Sequence, residues 1–245
     1  MSVFNHIKSI IDERGAAYVV LLDPDRKNES TIESRVALAN DSSVDALFVG
    51  GSLMMDSNYN ERVQRIKEAS AIPVIFFPGS VGQLNSHYDA ILFMSIISGR
   101  NPHYLIGEQA IAAPIVRDMG IETISTGYML MEGGAGSTVE FISGTRPIPM
   151  NHPDIAVAHA LAGQYLGMNM IYLEAGSGAK EPVANEVVKA VTDVLDIPVI
   201  AGGGIRDTET ASEKVKAGAS IIVTGTVIEE KSDLMKEMAD AVHWK

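Results

Sequence analysis

Short, nearly continuous apolar runs alternate along this chain with segments whose apolar residues recur at i, i+3 and i+4. The runs cover residues 18–22, 46–50, 74–77, 90–94, 123–129, 170–174, 199–202 and 221–224. A strand with one wet face alternates polar and apolar residues, so an unbroken apolar run predicts a parallel strand covered on both sides. Helical spacing marks 31–39, 60–69, 185–195, 208–217 and 232–242, with a more apolar helix over 154–166. Residues 1–15 carry the pattern of a further short amphipathic helix rather than a targeting segment. Pro73 and Pro198 stand at the starts of strand runs, where a missing N–H is tolerated, and Gly120 and Gly218 stand where helices should stop.

Strands alternating with helices join through right-handed crossovers into a parallel sheet, and eight such units favour closure into a barrel. The expected architecture is α/β: a (β/α)8 TIM barrel in a single domain over residues 1–245, close to the roughly 250 residues usual for that fold. Two stretches depart from the alternation. Residues 79–89 are too short and too rich in Gly, Ser and Asn for a full helix, so the helix after strand three is expected to be reduced or missing. Residues 131–150 are rich in glycine, contain Pro147 and Pro149, and lack periodicity. They read as a long irregular loop, which in a compact domain is usually functional.

Composition narrows the function. A formal net charge of −12 argues against a nucleic-acid surface and against general attraction to anionic lipid. A bound anion must then be held locally, by backbone N–H groups, a few cations or a metal. The absence of cysteine excludes disulfides, thiolate nucleophiles and Cys-type zinc sites, and fits a reducing cytoplasm. The most apolar stretch, 90–97, is far below the roughly 20 residues of a membrane span. The chain reads as soluble, with contact at a membrane edge still open to it. His6, His87, His103, His152, His159 and His243 form no metal-ligand spacing and read as structural or surface residues. No G-x-S-x-G elbow or Walker A motif is present.

Barrel active sites are built from the loops that follow the strands, and the unusual residues of this chain fall there. The last two loops carry Gly203-Gly204 and Gly225-Thr226. Phosphate in a barrel often sits on that pair of loops, where glycine lets several N–H groups converge on its oxygens. Asp23 ends the first strand, and its carboxylate is a base, a metal ligand or a helix cap. In a phosphate site a hard cation such as Mg2+ suits it, held by one or two oxygens and completed by water and substrate. Ser52, after the second strand, could contribute a further oxygen to the metal, and Asp25 is either a cap or a surface residue. Glu174 closes the sixth strand and either pairs with a neighbouring loop or binds a substrate hydroxyl and accepts its proton. Tyr172 and Glu174 point to the same side of that strand. Glu174 and Asp23 are the candidate catalytic residues.

These motifs together resemble the geranylgeranylglyceryl phosphate synthase family and its bacterial heptaprenylglyceryl phosphate synthase relatives. They are Leu22-Asp23-Pro24-Asp25, Val49-Gly50-Gly51-Ser52, Arg146-Pro147-Ile148-Pro149, Tyr172-Leu173-Glu174-Ala175-Gly176-Ser177-Gly178, Gly202-Gly203-Gly204-Ile205-Arg206 and Gly225-Thr226. The resemblance runs over nearly the whole chain, and its strength lies in their order rather than in any single motif. It implies a prenyltransferase that joins sn-glycerol 1-phosphate to a polyprenyl diphosphate, geranylgeranyl diphosphate foremost, through an ether bond in phospholipid biosynthesis, with Mg2+. Asp23 and Ser52 would hold the metal. Tyr172, Leu173, Glu174, Ala175, Gly176, Ser177, Gly178, Gly203, Gly204, Gly225 and Thr226 would bind glycerol phosphate. Leu21 stands where some members carry a lysine, and residues 131–137 form an extended Gly-rich segment. Both features point to the longer subgroup, whose members are commonly homo-oligomers, often hexamers. The apolar donor tail needs a groove, for which Phe76, Phe77, Leu92, Met94, Tyr128, Met129 and Leu130 are candidates. The competing reading is another phosphate-binding barrel, such as a sugar-phosphate isomerase.

Overall fold

The computed structural model describes residues 2–134 and 136–245. Met1 and Ala135 lie outside the described residues, so the Gly133–Gly136 segment is accounted for only at its other positions. Eight parallel strands close into a barrel in sequence order: β1 (Ala17–Leu22), β2 (Ala46–Val49), β3 (Val74–Phe76), β4 (Ala90–Ile96), β5 (Glu122–Leu130), β6 (Met170–Glu174), β7 (Val199–Gly202) and β8 (Ile221–Thr224). The sequence-predicted strands all form, and most positions in each run are buried.

The helices are α1 (Val3–Arg14), α2 (Ile32–Asp41), α3 (Tyr59–Ala69), α4 (Glu108–Met119), α5 (Thr138–Ser143), α6 (Pro153–Tyr165), α7 (Asn185–Thr192), α8 (Thr208–Lys216), α9 (Thr226–Glu230) and α10 (Met235–Val242). Alternation along the strands sorts side chains into two layers. Val19, Phe48, Ile75, Leu92, Tyr172 and Ile200 fill the barrel. Val20, Leu47, Met129, Leu173 and Ile222 face out and pack against helices. The first helix closes the N-terminal end, where Ile7 and Ile10 join the inner layer. The Glu122 carboxylate accepts from the N–H groups of Val3 (2.6 Å) and Phe4 (2.9 Å), satisfying two of its orphan donors.

The flank after β3 is built differently. A single 3-10 turn, Val81–Gln83, stands where the barrel pattern would place a full helix, the reduction expected from residues 79–89. β3 and β4 share two register pairs, whereas β4 and β5 share seven. The upper half of β4 therefore outruns β3, and Phe93 to Ile96 are only partly buried. The reduction of this helix follows from a segment whose glycine and asparagine cannot sustain helical hydrogen bonding without large entropic loss.

One expectation needs bounds and another correction. The spacing gave no bounds for the helix that Gly120 should end; it is α4, which stops at Met119 with Gly120 in left-handed backbone, and a π-helical turn at His103–Gly107 precedes it. Pro114 sits inside α4 and its neighbours Ala110 and Ala113 are exposed, so the carbonyl that loses its partner can meet water. Residues 131–150 are not irregular throughout: they contain α5, and Met131 bridges Ile148. The bridge is closed by Ile148 N–H to the Leu130 carbonyl (2.9 Å) and Glu132 N–H to the Ile148 carbonyl (3.0 Å).

Candidate active site

One continuous cavity of about 380 Å³ opens at the C-terminal ends of the strands. Its polar end is lined by Gly203, Gly204, Gly225 and Thr226, its middle by Asp23, Ser52, Tyr172 and Glu174, and its far end by apolar side chains of β3, β4 and α4.

The polar end is made of backbone. Gly203 and Gly204 have φ of +79° and +72°, in the left-handed region that favours glycine. A Cβ on Gly203 would run into the Glu174 carboxylate and lie 2.8 Å from the Gly176 nitrogen. This loop therefore packs directly on the loop after β6. On the other side, α9 starts at Thr226, and the first N–H groups of a helix have no helical partners. Two loops of N–H groups converging on one cavity suit an anion. Arg206 also reaches the cavity, but its guanidinium is occupied, donating to the carbonyls of Ala179 (2.6 Å) and Lys180 (3.1 Å). It braces the loop after β6.

In the middle, Glu174 is buried. Its Oε1 accepts from the Gly176 N–H at 2.7 Å. Burial pushes its carboxyl up to about 7, against the smaller opposing effects of that N–H and of the Tyr172 hydroxyl beside it. The Tyr172 side chain is fully buried, and its hydroxyl has no hydrogen-bond partner of good geometry among the described residues. A buried hydroxyl left unpaired is costly, and this one belongs to a side chain of the cavity wall, beside the Glu174 carboxylate. Leu173 and Ala175, expected to bind substrate, instead place their side chains in the outer layer. The period of two along a strand requires this when Tyr172 and Glu174 face in.

Asp23 is half-buried, and its carboxyl is raised to about 6. Burial is the main cause, the charges of Glu229 and Asp25 add to it, and Lys27 opposes it. No side chain among the described residues donates a hydrogen bond to this carboxylate. The neighbouring loop comes close because residue 51 is glycine: a Cβ there would sit 2.6 Å from Asp23 Oδ1. This places Ser52 on the same cavity wall. Among the described residues no group of three His, Cys, Asp or Glu could hold a metal by itself. A carboxylate that no side chain of the described residues donates to, on the same cavity wall as a serine, fits a Mg2+ ion that takes most of its ligands from water and a substrate phosphate. Asp25 has the capping role, its Oδ1 accepting from the Lys27 N–H at 2.9 Å.

Sequence reading missed three neighbours of Asp23. Asn28 donates to the Asp23 carbonyl (2.9 Å) and to Glu229 Oε1 (3.1 Å), and Lys27 lies 3.3 Å from Glu229 Oε2. The partner is about two hundred positions away, so no local pattern could announce it. Lys27 also lines the cavity and is a cation available to a phosphate.

At the apolar end, Phe77 packs against Tyr128 (ring centres 6.5 Å apart) and Tyr172 (5.6 Å), forming a floor between polar and apolar halves. Of the groove candidates, Phe76, Phe77, Leu92, Met94 and Tyr128 line the cavity. Met129 and Leu130 do not: Met129 faces the helices and Leu130 is buried inside the barrel. Ala112 of α4 and Tyr104 of the turn before it complete the wall. The Arg146-Pro147-Ile148-Pro149 motif lies away from the cavity and anchors the loop after β5 through Ile148.

The match to known proteins is extensive. The model of the PcrB family covers residues 8–243. A geranylgeranylglyceryl phosphate synthase from Chitinophaga pinensis is 46% identical over 238 residues, 96% of this chain and 94% of that protein. One from Pyrococcus horikoshii is 45% identical over 223 residues, 91% of this chain and 87% of that protein. The crystal structure of (S)-3-O-geranylgeranylglyceryl phosphate synthase from Thermoplasma acidophilum, in complex with its substrate sn-glycerol-1-phosphate, superposes with a TM-score of 0.93 at 34% identity, covering 99% of both chains. The chain belongs to the PcrB family and is an enzyme of the geranylgeranylglyceryl phosphate synthase type, a prenyltransferase.

Proposed function

We propose that this enzyme transfers a polyprenyl group, most suitably geranylgeranyl, from its diphosphate to sn-glycerol 1-phosphate, making an ether bond for phospholipid biosynthesis with Mg2+ as cofactor. The observation that carries this reading is the single cavity with a glycine-built anion site at one end and an apolar groove at the other. A sugar-phosphate isomerase has no use for such a groove. The sn-glycerol-1-phosphate bound by the Thermoplasma relative supports the acceptor.

In this mechanism the loops of Gly203-Gly204 and Gly225-Thr226 hold the acceptor phosphate. Glu174 and Tyr172 hold its hydroxyls. The acceptor oxygen forms a bond to the first carbon of the allylic donor, the bond from that carbon to the diphosphate breaks, and Glu174 accepts the hydroxyl proton. A carboxyl raised to about 7 is suited to exchange a proton near neutrality. Asp23 and Ser52 would hold the Mg2+, which neutralises charge developing on the leaving diphosphate. Lys27 adds a positive charge there, and the aromatic floor keeps water from the apolar side.

The test is mass analysis of the product made from sn-glycerol 1-phosphate and donors of graded length, with and without chelator. Ether-linked product that disappears on chelation is expected. Met94→Trp should shift the donor preference toward shorter chains and leave the KM for glycerol phosphate unchanged, since Met94 touches only the apolar end. A separate prediction concerns the acceptor phosphate. Gly203→Ala places a side chain in left-handed backbone and against Gly176, so inorganic phosphate binding, read by calorimetry, should weaken by about tenfold or more.

The homo-oligomer implied by the resemblance belongs to the same proposal. It finds a candidate face on α4, where Ile111, Ile115 and Met119 are exposed at i, i+4 spacing. No helix among the described residues is long and apolar enough to cross a membrane. The cytoplasm is the compartment proposed, in keeping with the cysteine-free composition.

A further inference from the structure

We propose that Gln83 and Arg62 are positioning residues for the donor diphosphate, two buried side chains that clamp the loop after β2 against Asp23. The proposal rests on the assignment of Asp23 and Ser52 to the donor head group.

The loop after β2 exposes Leu53, Met54 and Met55, which are 55%, 48% and 71% accessible. A segment with three large side chains in water has no packing of its own to fix it. Its placement must come from its ends, and both ends are gripped from below. At one end, Gln83 Nε2 donates to the Gly51 carbonyl at 2.8 Å. Gln83 Oε1 accepts from the N–H groups of Gly79 (2.9 Å) and Ser80 (3.4 Å), and the side chain is wholly buried. At the other end, Arg62 Nη2 donates to Asp56 Oδ1 and Arg62 Nε to the Pro24 carbonyl, both at 2.6 Å. Pro24 is the residue after Asp23, so one guanidinium fixes the loops after β1 and β2 together.

Glycine leaves these loops no slack. A Cβ on Gly51 would meet Asp23 Oδ1 at 2.6 Å, and one on Gly79 would run into the Gly51 carbonyl. Loss of either clamp lets Gly51 and Ser52 drift from Asp23, and displacements of about 1 Å cost on the order of a hundredfold where reacting groups must be aligned. Gln83 lies in the one turn that stands where a helix is missing. The same reduction that opens the tail groove therefore carries the side chain that sets the head-group loop. Neither Gln83 nor Arg62 lines the cavity, so any effect must pass through the loops they hold.

Gln83→Met keeps length and removes the hydrogen bonds, while Arg62→Lys keeps charge and removes the two-pronged grip. Each is expected to raise the KM for the prenyl diphosphate by about tenfold or more, with the KM for glycerol phosphate within about twofold. Binding of inorganic pyrophosphate in the presence of Mg2+, measured by calorimetry, should weaken by the same factor, and binding of inorganic phosphate at the acceptor end should not. Equal losses for both ligands, or unchanged pyrophosphate binding, overturn the proposal. If Gln83→Met does not fold, Gly79→Ala displaces Gly51 directly and is read by the same criteria. Asp23→Asn in the same calorimetry separates the two levels. If it binds pyrophosphate like the parent, the head-group assignment itself fails. If it loses binding and the clamp variants do not, only the positioning role fails.

Discussion

Asp23→Asn is expected to lower kcat by about two to three orders of magnitude, with little change in folding. The amide keeps the shape of the side chain but removes the charge that would hold Mg2+, and metal stabilisation of a leaving phosphate is worth several kcal/mol, about 1.4 kcal/mol per decade of rate. The geometry makes the loss hard to repair. No other group on this wall offers a comparable carboxylate: the nearby Glu229 is engaged by Asn28 and Lys27. Folding should hardly suffer, because among the described residues no side chain donates to Asp23 and its carboxyl is raised to about 6 by burial, so ionisation costs the folded state free energy. The check is steady-state kinetics across a Mg2+ titration beside a thermal melt. A variant with nearly parental kcat would remove Asp23 from the metal site.

Glu174→Gln should lose rate and stereoselectivity together. In the proposed mechanism the glycine loops hold the phosphate of the acceptor and Glu174 its hydroxyl, so the two grips together would distinguish sn-glycerol 1-phosphate from its mirror image. A charge-assisted hydrogen bond is worth roughly 1.5–3 kcal/mol, or about tenfold to a hundredfold in the enantiomer ratio. Thr226→Val should weaken both enantiomers alike, since both carry the phosphate. Specificity constants for the two enantiomers in both variants decide the matter, and an unchanged ratio in Glu174→Gln assigns the acceptor contact elsewhere.

The same substitution has a pH signature of opposite sign in stability and activity. Burial holds the Glu174 carboxyl at about 7 in the folded protein, above its ordinary value of 4.5. Its contribution to stability is therefore fully present below about pH 4.5 and is lost as pH rises through about 7, on the order of 3 kcal/mol in all. Activity should instead rise through about pH 7 as the base ionises. Glu174→Gln should flatten both dependences. A buried carboxylate that destabilises the fold in the pH range where it works is a common feature of catalytic positions.

The strands and the end of the barrel that carries the chemistry were legible because their signals are local. A strand buried on both faces must be apolar along its length, and tight turns at positive φ favour glycine, so Gly203 and Gly204 could be read in place. Asp23, Ser52 and Glu174 stood out as polar residues at or just beyond the ends of apolar runs. The alternation rule placed Tyr172 and Glu174 together correctly, and applied one residue further it would have turned Leu173 outward. The missing helix after β3 was also visible, since Gly, Ser and Asn over 79–89 could not sustain one.

What the sequence hid was decided by contacts between distant segments. Gly120 announced the end of α4 but not its extent, because Ile111, Ile115 and Met119 lie exposed while Ala112 and Val116 are buried, which blurs the amphipathic period. α5 forms within a glycine-rich stretch whose ends are tied by the Met131 and Ile148 bridge. The Asn28 and Glu229 contact, the clamp on Gly51 by Gln83, and the grip of Arg62 on Pro24 and Asp56 join residues from different loops. The chain by itself determined which residues could carry the chemistry, because residue type and local period fix backbone conformation and facing. Only the closed barrel decided which of them meet and what pKa burial gives Asp23 and Glu174, because distance and desolvation are properties of the packed whole.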